Sequence, residues 1–154
     1  MIARPEIEQY LPHKGTMLLL DRIVDHDLED CRLAAEVDTA QDGLFYDADL
    51  GGVPAWVGFE YMAQSIAALS GVNSRLCGGE PKIGFIMSVR AFQTEVPAYR
   101  AGETLRVDVA QIFRDGNVVS FDCAVSRLGR VLTTAVVNAI EVDEAVIQGG
   151  LIDG

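Results

Sequence analysis

Pro54-Ala-Trp-Val-Gly-Phe-Glu60-Tyr-Met-Ala-Gln64-Ser-Ile-Ala-Ala-Leu-Ser-Gly71 is almost wholly apolar and carries one carboxylate near its start. The pattern predicts a helix. Pro54 suits a first turn, where its missing N–H costs nothing, and Gly71 offers a C-terminal stop. Trp56, Val57, Met62, Ala63, Ile66, Ala67 and Leu69 leave almost no polar face, which predicts burial all round. A buried ionised carboxyl without a partner costs several kcal/mol or takes up a proton, so Glu60 is paired, neutral or working. The plainer alternative is a first-turn carboxylate favoured by the helix dipole and reaching solvent.

The rest of the chain limits what this helix belongs to. The 154 residues suit one domain, 1–154, with 1–10 an N-terminal arm and 143–154 a tail. Hydrophobic residues reach 49% and mean hydropathy is +0.21. Glu60, Gln64 and Ser65 break the longest apolar run, so this surplus points to an oligomer interface rather than a membrane span. Met1 to Gln9 contains Arg4, Glu6 and Glu8 and reads as no secretory signal, which sets the cytoplasm as the expected compartment. A net charge of −11 disfavours nucleic acid and anionic membrane as partners. Cys31, Cys77 and Cys123 form no C-x-x-C pair, so buried free thiols are expected. No phosphate loop, Ser-His-Asp set or metal cluster is legible, so neither cofactor nor metal is expected; Asp47 and Asp49 read as a solvated turn.

Outside the helix, Ile2 to Tyr10 reads as a short helix or arm. Strands are expected over Met17–Val24, Cys31–Val37, Ile83–Val96, Thr104–Phe113, Val118–Ser126 and Val131–Val142. Turn chemistry lies at Asp115-Gly116-Asn117 and Leu128-Gly129, and a turn-rich loop spans Asp38–Gly52. Two strands, one apolar helix and four strands make an α+β fold, an antiparallel sheet wrapped around one long central helix. Open sheet edges then favour pairing across a two-fold axis, a homodimer or dimer-based oligomer.

Leu11-Pro12-His13-Lys14-Gly15, followed by an apolar run to Asp21-Arg22, resembles the Leu-Pro-His-Arg start of the hotdog-fold 3-hydroxyacyl-acyl-carrier-protein dehydratases of bacterial fatty acid synthesis. Pro54 to Gln64 resembles that family's Pro-Gly-(four residues)-Glu-Ala-Met-Ala-Gln helix start. Pro97-Ala-Tyr-Arg-Ala-Gly102-Glu103-Thr-Leu105 resembles its Pro-x-x-Pro-Gly-Asp-x-Leu turn. The likeness runs from about Leu11 to Glu141. The family's catalytic His stands 14 residues before the helix carboxylate; here that position is Tyr46, and 38–52 holds no His. In this the chain most resembles a sub-branch of the family lacking this His, some members of which sit in aryl polyene biosynthetic clusters as presumed dehydratases.

The resemblance implies an acyl-carrier-protein or CoA thioester as partner and a trans-2-enoyl thioester as product. Such a dehydration removes a C2 proton, stabilises an enolate-like oxygen and protonates the departing hydroxyl. Glu60, held protonated by apolar surroundings, would supply that last proton. The Ala55 and Trp56 N–H groups at the helix start would hold the oxygen, with Ala55 standing where the family has Gly. Gln64, one turn on, would steady the carboxyl or else bond backbone. His13 is either the base or a turn residue bonded to a neighbouring loop. Tyr46, a poor base, would orient substrate; His26 reads as solvated. Lys14, Arg75, Lys82, Arg90 and Arg100 are candidates for docking an acidic carrier. A catalytically silent acyl-binding subunit and a thioesterase are the alternatives.

Overall fold

The computed structural model describes residues 1–11, 15–78 and 82–143. An N-terminal arm of β1 (Ile2–Ala3) and α1 (Arg4–Ile7) leads to β2 (Arg22–Asp27) and β3 (Arg32–Asp38). A long loop enters β4 (Gly52–Pro54), a 3₁₀ turn (Ala55–Val57) and the central helix α2 (Gly58–Cys77). Then come β5 (Lys82–Thr94), β6 (Ala98–Arg100), β7 (Thr104–Asp115), β8 (Val118–Arg127) and β9 (Arg130–Asp143). The main sheet runs β1-β2-β3-β7-β8-β9-β5, antiparallel throughout, and β4 pairs with β6 in a separate ribbon.

Alternation explains which sheet face meets α2. Leu105, Val107 and Val109 of β7 are buried, as are Val119, Phe121, Cys123 and Val125 of β8. Register aligns these positions into rows such as Leu33–Val109–Cys123–Ala135, and the rows form one core with Met62, Ile66 and Leu69 of α2. The expected antiparallel sheet around one long helix is what the chain forms.

Several expected boundaries move. The strand expected over Met17–Val24 begins only at Arg22, with Gly15–Met17 in a 3₁₀ turn. The Gln64 side chain explains this. Its Oε1 accepts from the Leu19 N–H at 2.8 Å and its Nε2 donates to the Met17 carbonyl at 2.8 Å. The helix, not a neighbouring strand, thus satisfies this backbone. α2 also starts later and ends later than expected. Gly71 lies inside it because a Cβ there would overlap the Tyr10 carbonyl, and the left-handed Gly78 caps it instead. The arm is helical only over Arg4–Ile7, with Ile7 fully buried.

Burial of α2 all round is also corrected. Glu60, Ala63, Ala67, Ser70, Gly71 and Ser74 are only half-buried, and Arg75, Leu76 and Cys77 are exposed. Spacing of three to four residues makes one half-buried stripe along the helix, from which the Ser70 hydroxyl donates to the Glu141 carboxylate of β9 at 2.8 Å. The thiols divide likewise: all three are free, but Cys77 is exposed and Cys31 half-buried. Only Cys123 is buried, and burial pushes its thiol up to about 12.

Candidate active site

The start of α2 is held from below. Pro54 pairs with Ala98 across the β4–β6 ribbon, and the Ala55 N–H donates to the Pro97 carbonyl at 3.0 Å. Gly58 follows, where a Cβ would overlap the Tyr99 hydroxyl. That hydroxyl lies 2.7 Å from Thr133 Oγ1 and 3.4 Å from the Ala55 carbonyl oxygen.

Two expectations change with this geometry. The Ala55 N–H is spent on Pro97 and is not free for a thioester oxygen; the Trp56 N–H, with no acceptor among the described residues, is. Gln64 is buried and bonded to the Met17 and Leu19 backbone, so it does not steady Glu60.

Glu60 stands in the first turn of α2, half-buried, and its carboxylate meets no hydrogen-bond or ion-pair partner among the described residues. It is therefore not the fully enclosed group expected from its neighbours in sequence. The exposed Trp56 ring meets Phe45 edge-on, centroids 5.8 Å apart at 76°. This contact lays the 39–51 loop over the helix start and brings half-buried Tyr46, next in sequence to Phe45, into its neighbourhood. Asp47 shapes the loop, its carboxylate accepting from the Asp49 and Leu50 N–H groups at 2.9 and 3.3 Å.

His13 and Lys14 lie outside the described residues. His26, expected to be merely solvated, lies with its Nε2 2.8 Å from Asn73 Oδ1. Of the candidate docking cations, Arg75 and Arg100 lie apart. Arg75 bonds Gln9 at the C-terminal end of α2, about 22 Å along the axis from Glu60 at 1.5 Å per residue. Exposed Arg100 faces Gly52 in the ribbon that feeds the helix start.

A cavity of about 320 Å³ lies between the arm, the end of β3 and the 40–45 loop, with Phe45, Val53 and Tyr61 in its walls. A larger one, about 510 Å³, runs across β3, β7, β8 and β9 with none of the candidate catalytic groups in its walls. The smaller cavity adjoins the chemistry, because Phe45 also touches Trp56 and Tyr61 follows Glu60. Tyr61 was not singled out in the sequence; the available signal was a Tyr in Glu60-Tyr-Met-Ala-Gln64 where the resembled motif has Ala.

A model of the ApeP-like family, described as ApeP dehydratase, matches residues 5–148. A chain of the dehydratase heterocomplex ApeI:P from Xenorhabdus doucetiae is 29% identical, covers 96% of this chain and 97% of its own, and superposes with a TM-score of 0.81. A thioesterase-like, phenylacetic acid degradation-related protein of Ralstonia eutropha JMP134 is 22% identical over 77% of this chain and 82% of its own, with a TM-score of 0.60. A hypothetical thioesterase of Streptococcus pneumoniae TIGR4, solved with coenzyme A, is 10% identical over 79% of this chain and 85% of its own, at 0.63. The last two likenesses show the hotdog fold alone. No curated protein matches the sequence.

Proposed function

Because the chain belongs to the ApeP-like dehydratase family, we propose that it eliminates water from a 3-hydroxyacyl thioester, carried on acyl carrier protein or CoA, to give the trans-2-enoyl thioester. The carrying observation is the Glu60 carboxyl, one turn from the Trp56 N–H at the positive end of the central helix, neither group having a partner among the described residues. In this reading a base removes the C2 proton and the Trp56 N–H holds the enolate-like oxygen. The C3–O bond then breaks, and Glu60 protonates the leaving hydroxyl, which departs as water. His13 is the residue proposed as the base. Arg100, exposed beside the helix start, is the docking cation best placed for an acidic carrier.

A second reading is supported by the lack of a His in 38–52 and by the assembly of a similar chain in a two-component dehydratase complex. In that reading this chain binds the acyl group while a second hotdog subunit supplies the missing base. Incubating the purified protein with 3-hydroxyacyl thioesters separates the possibilities: enoyl product supports the enzyme, no turnover supports the silent subunit, and free acid supports a thioesterase. Glu60→Gln, nearly isosteric but unable to deliver the proton, is expected to lower the dehydration rate by about 10²- to 10⁴-fold in a protein that remains folded. Activity within tenfold of wild type removes Glu60 from the mechanism.

A further inference from the structure

Three hydroxyls form one chain beneath the start of α2. Thr94 Oγ1 lies 3.0 Å from Thr133 Oγ1, Thr133 Oγ1 lies 2.7 Å from the Tyr99 hydroxyl, and that hydroxyl donates to the Ala55 carbonyl at 3.4 Å. Tyr99 and Thr133 are each 1% exposed. Burial holds the phenol proton in place, against the opposing Thr133 contact, so Tyr99 remains a donor near neutral pH. Gly58 admits the ring. Its φ of −54° is helical backbone open to any residue, so the glycine serves space rather than conformation: a Cβ there would overlap the Tyr99 hydroxyl. The Ala55 carbonyl does not need this donor, because it already accepts from the Gly58 N–H. Two buried side chains and a glycine thus bring a hydroxyl to a carbonyl that has a partner without it.

We propose that Tyr99 is a positioning residue for the oxyanion donor, its hydroxyl fixing and polarising the peptide group whose N–H belongs to Trp56. The proposal rests on the dehydratase reading above. The Ala55 carbonyl and the Trp56 N–H are the two ends of one planar trans peptide, so a bond that holds the carbonyl toward Tyr99 aims the N–H the opposite way. The preceding peptide is held as well, through the Ala55 N–H on the Pro97 carbonyl. Hydrogen bonds in series polarise one another, by roughly 10–30% per bond, so the chain behind Tyr99 strengthens the donor at its far end. Three hydroxyl protons face four contacts, because Thr94 Oγ1 also reaches the Val96 carbonyl at 2.9 Å. The chain therefore has more than one proton arrangement, and negative charge arriving at the Trp56 N–H favours the one in which Tyr99 donates to Ala55. The long contact of 3.4 Å then strengthens as the enolate-like oxygen gains charge, which weights its effect to the transition state.

The test uses the full chain and a trans-2-enoyl N-acetylcysteamine thioester isotopically labelled at its carbonyl carbon. Difference infrared spectroscopy reads the stretching frequency of the bound carbonyl, and steady-state kinetics follow dehydration of the matching 3-hydroxyacyl thioester. Wild-type protein is expected to move the carbonyl to lower frequency than in water. Tyr99→Phe is expected to lose part of that shift and to lower kcat by about threefold to thirtyfold with KM within about twofold, a smaller loss than the roughly 10²- to 10³-fold of removing an oxyanion donor outright. A lowered melting temperature with kcat and frequency both at wild-type values makes Tyr99 purely structural and overturns the proposal. A fall in kcat with the frequency unchanged overturns it too, as does a wild-type carbonyl that binds unshifted. Gly58→Ala displaces the hydroxyl without removing it and keeps the test open if Tyr99→Phe does not fold: the same two losses support the proposal, and unchanged frequency and kcat overturn it. A carbonyl shift that falls in Tyr99→Phe, in a protein without dehydration activity, retains the positioning role and removes the dehydratase reading. Dehydration by a wild type from which Tyr99→Phe is indistinguishable does the reverse.

Discussion

At the scale of residues, the proposed reaction needs an acid and a base, and the proposed acid, Glu60, stands in the first turn of α2. Among the described residues the Glu60 carboxylate has no partner, so no ion pair within them competes for it. If His13 is the base, His13→Ala eliminates turnover while Tyr46→Phe lowers it only modestly, since imidazole alone has the basicity to take a C2 proton near neutral pH. If His13 is a turn residue, the same substitution lowers the melting temperature and leaves the rate per folded molecule nearly unchanged. Steady-state rates and thermal melts on the two variants separate these outcomes. Glu60 was legible because a lone carboxylate in an apolar run is conspicuous. Tyr61 was not, because a Tyr in an apolar run looks like core until its hydroxyl is found without a partner among the described residues.

At the scale of elements, Gln64 is the clearest case of a side chain that builds rather than reacts. Its amide replaces a neighbouring strand for the Met17 and Leu19 backbone and so fixes the segment that leads into β2. Gln64→Leu keeps the volume but strands one donor and one acceptor. The expected loss is roughly 1–3 kcal/mol for an unsatisfied buried group, or about 2–4 °C of melting temperature per kcal/mol in a chain of this size. A melting temperature within one degree of wild type contradicts that role. The sequence offered both readings of Gln64, and spacing favoured the functional one because it sits one turn from Glu60. Neighbours on a helix share a face only in part. The backbone crossing beneath Gln64 settled its partner.

At the scale of the whole molecule, the protomer exposes more apolar surface than its edges can leave to water. β5 closes one side of the sheet with Phe85 52%, Met87 55% and Ile86 40% exposed. A long apolar edge strand is a template for pairing, and a second hotdog chain is the natural cover. Sedimentation at micromolar concentration is therefore expected to show a dimer or larger; a stable species of 16.6 kDa refutes this. A double substitution, Phe85→Lys with Met87→Lys, is expected to shift the distribution toward monomer by placing charge on that edge.

The sequence alone determined the α+β class, the central helix, the turns between the last three strands and the carboxylate at the helix start. Each rests on local periodicity or turn chemistry that acts over a few residues. Tertiary structure alone decided which of two adjacent N–H groups stays free, because the Ala55 donor is claimed by Pro97, 42 residues further along the chain. It likewise decided that Gln64 serves backbone, that Gly71 lies within the helix against Tyr10, and that a cavity opens beside Tyr61. These are meetings of distant segments, and residue spacing carries no record of which polar group reaches which partner once the chain has closed on itself.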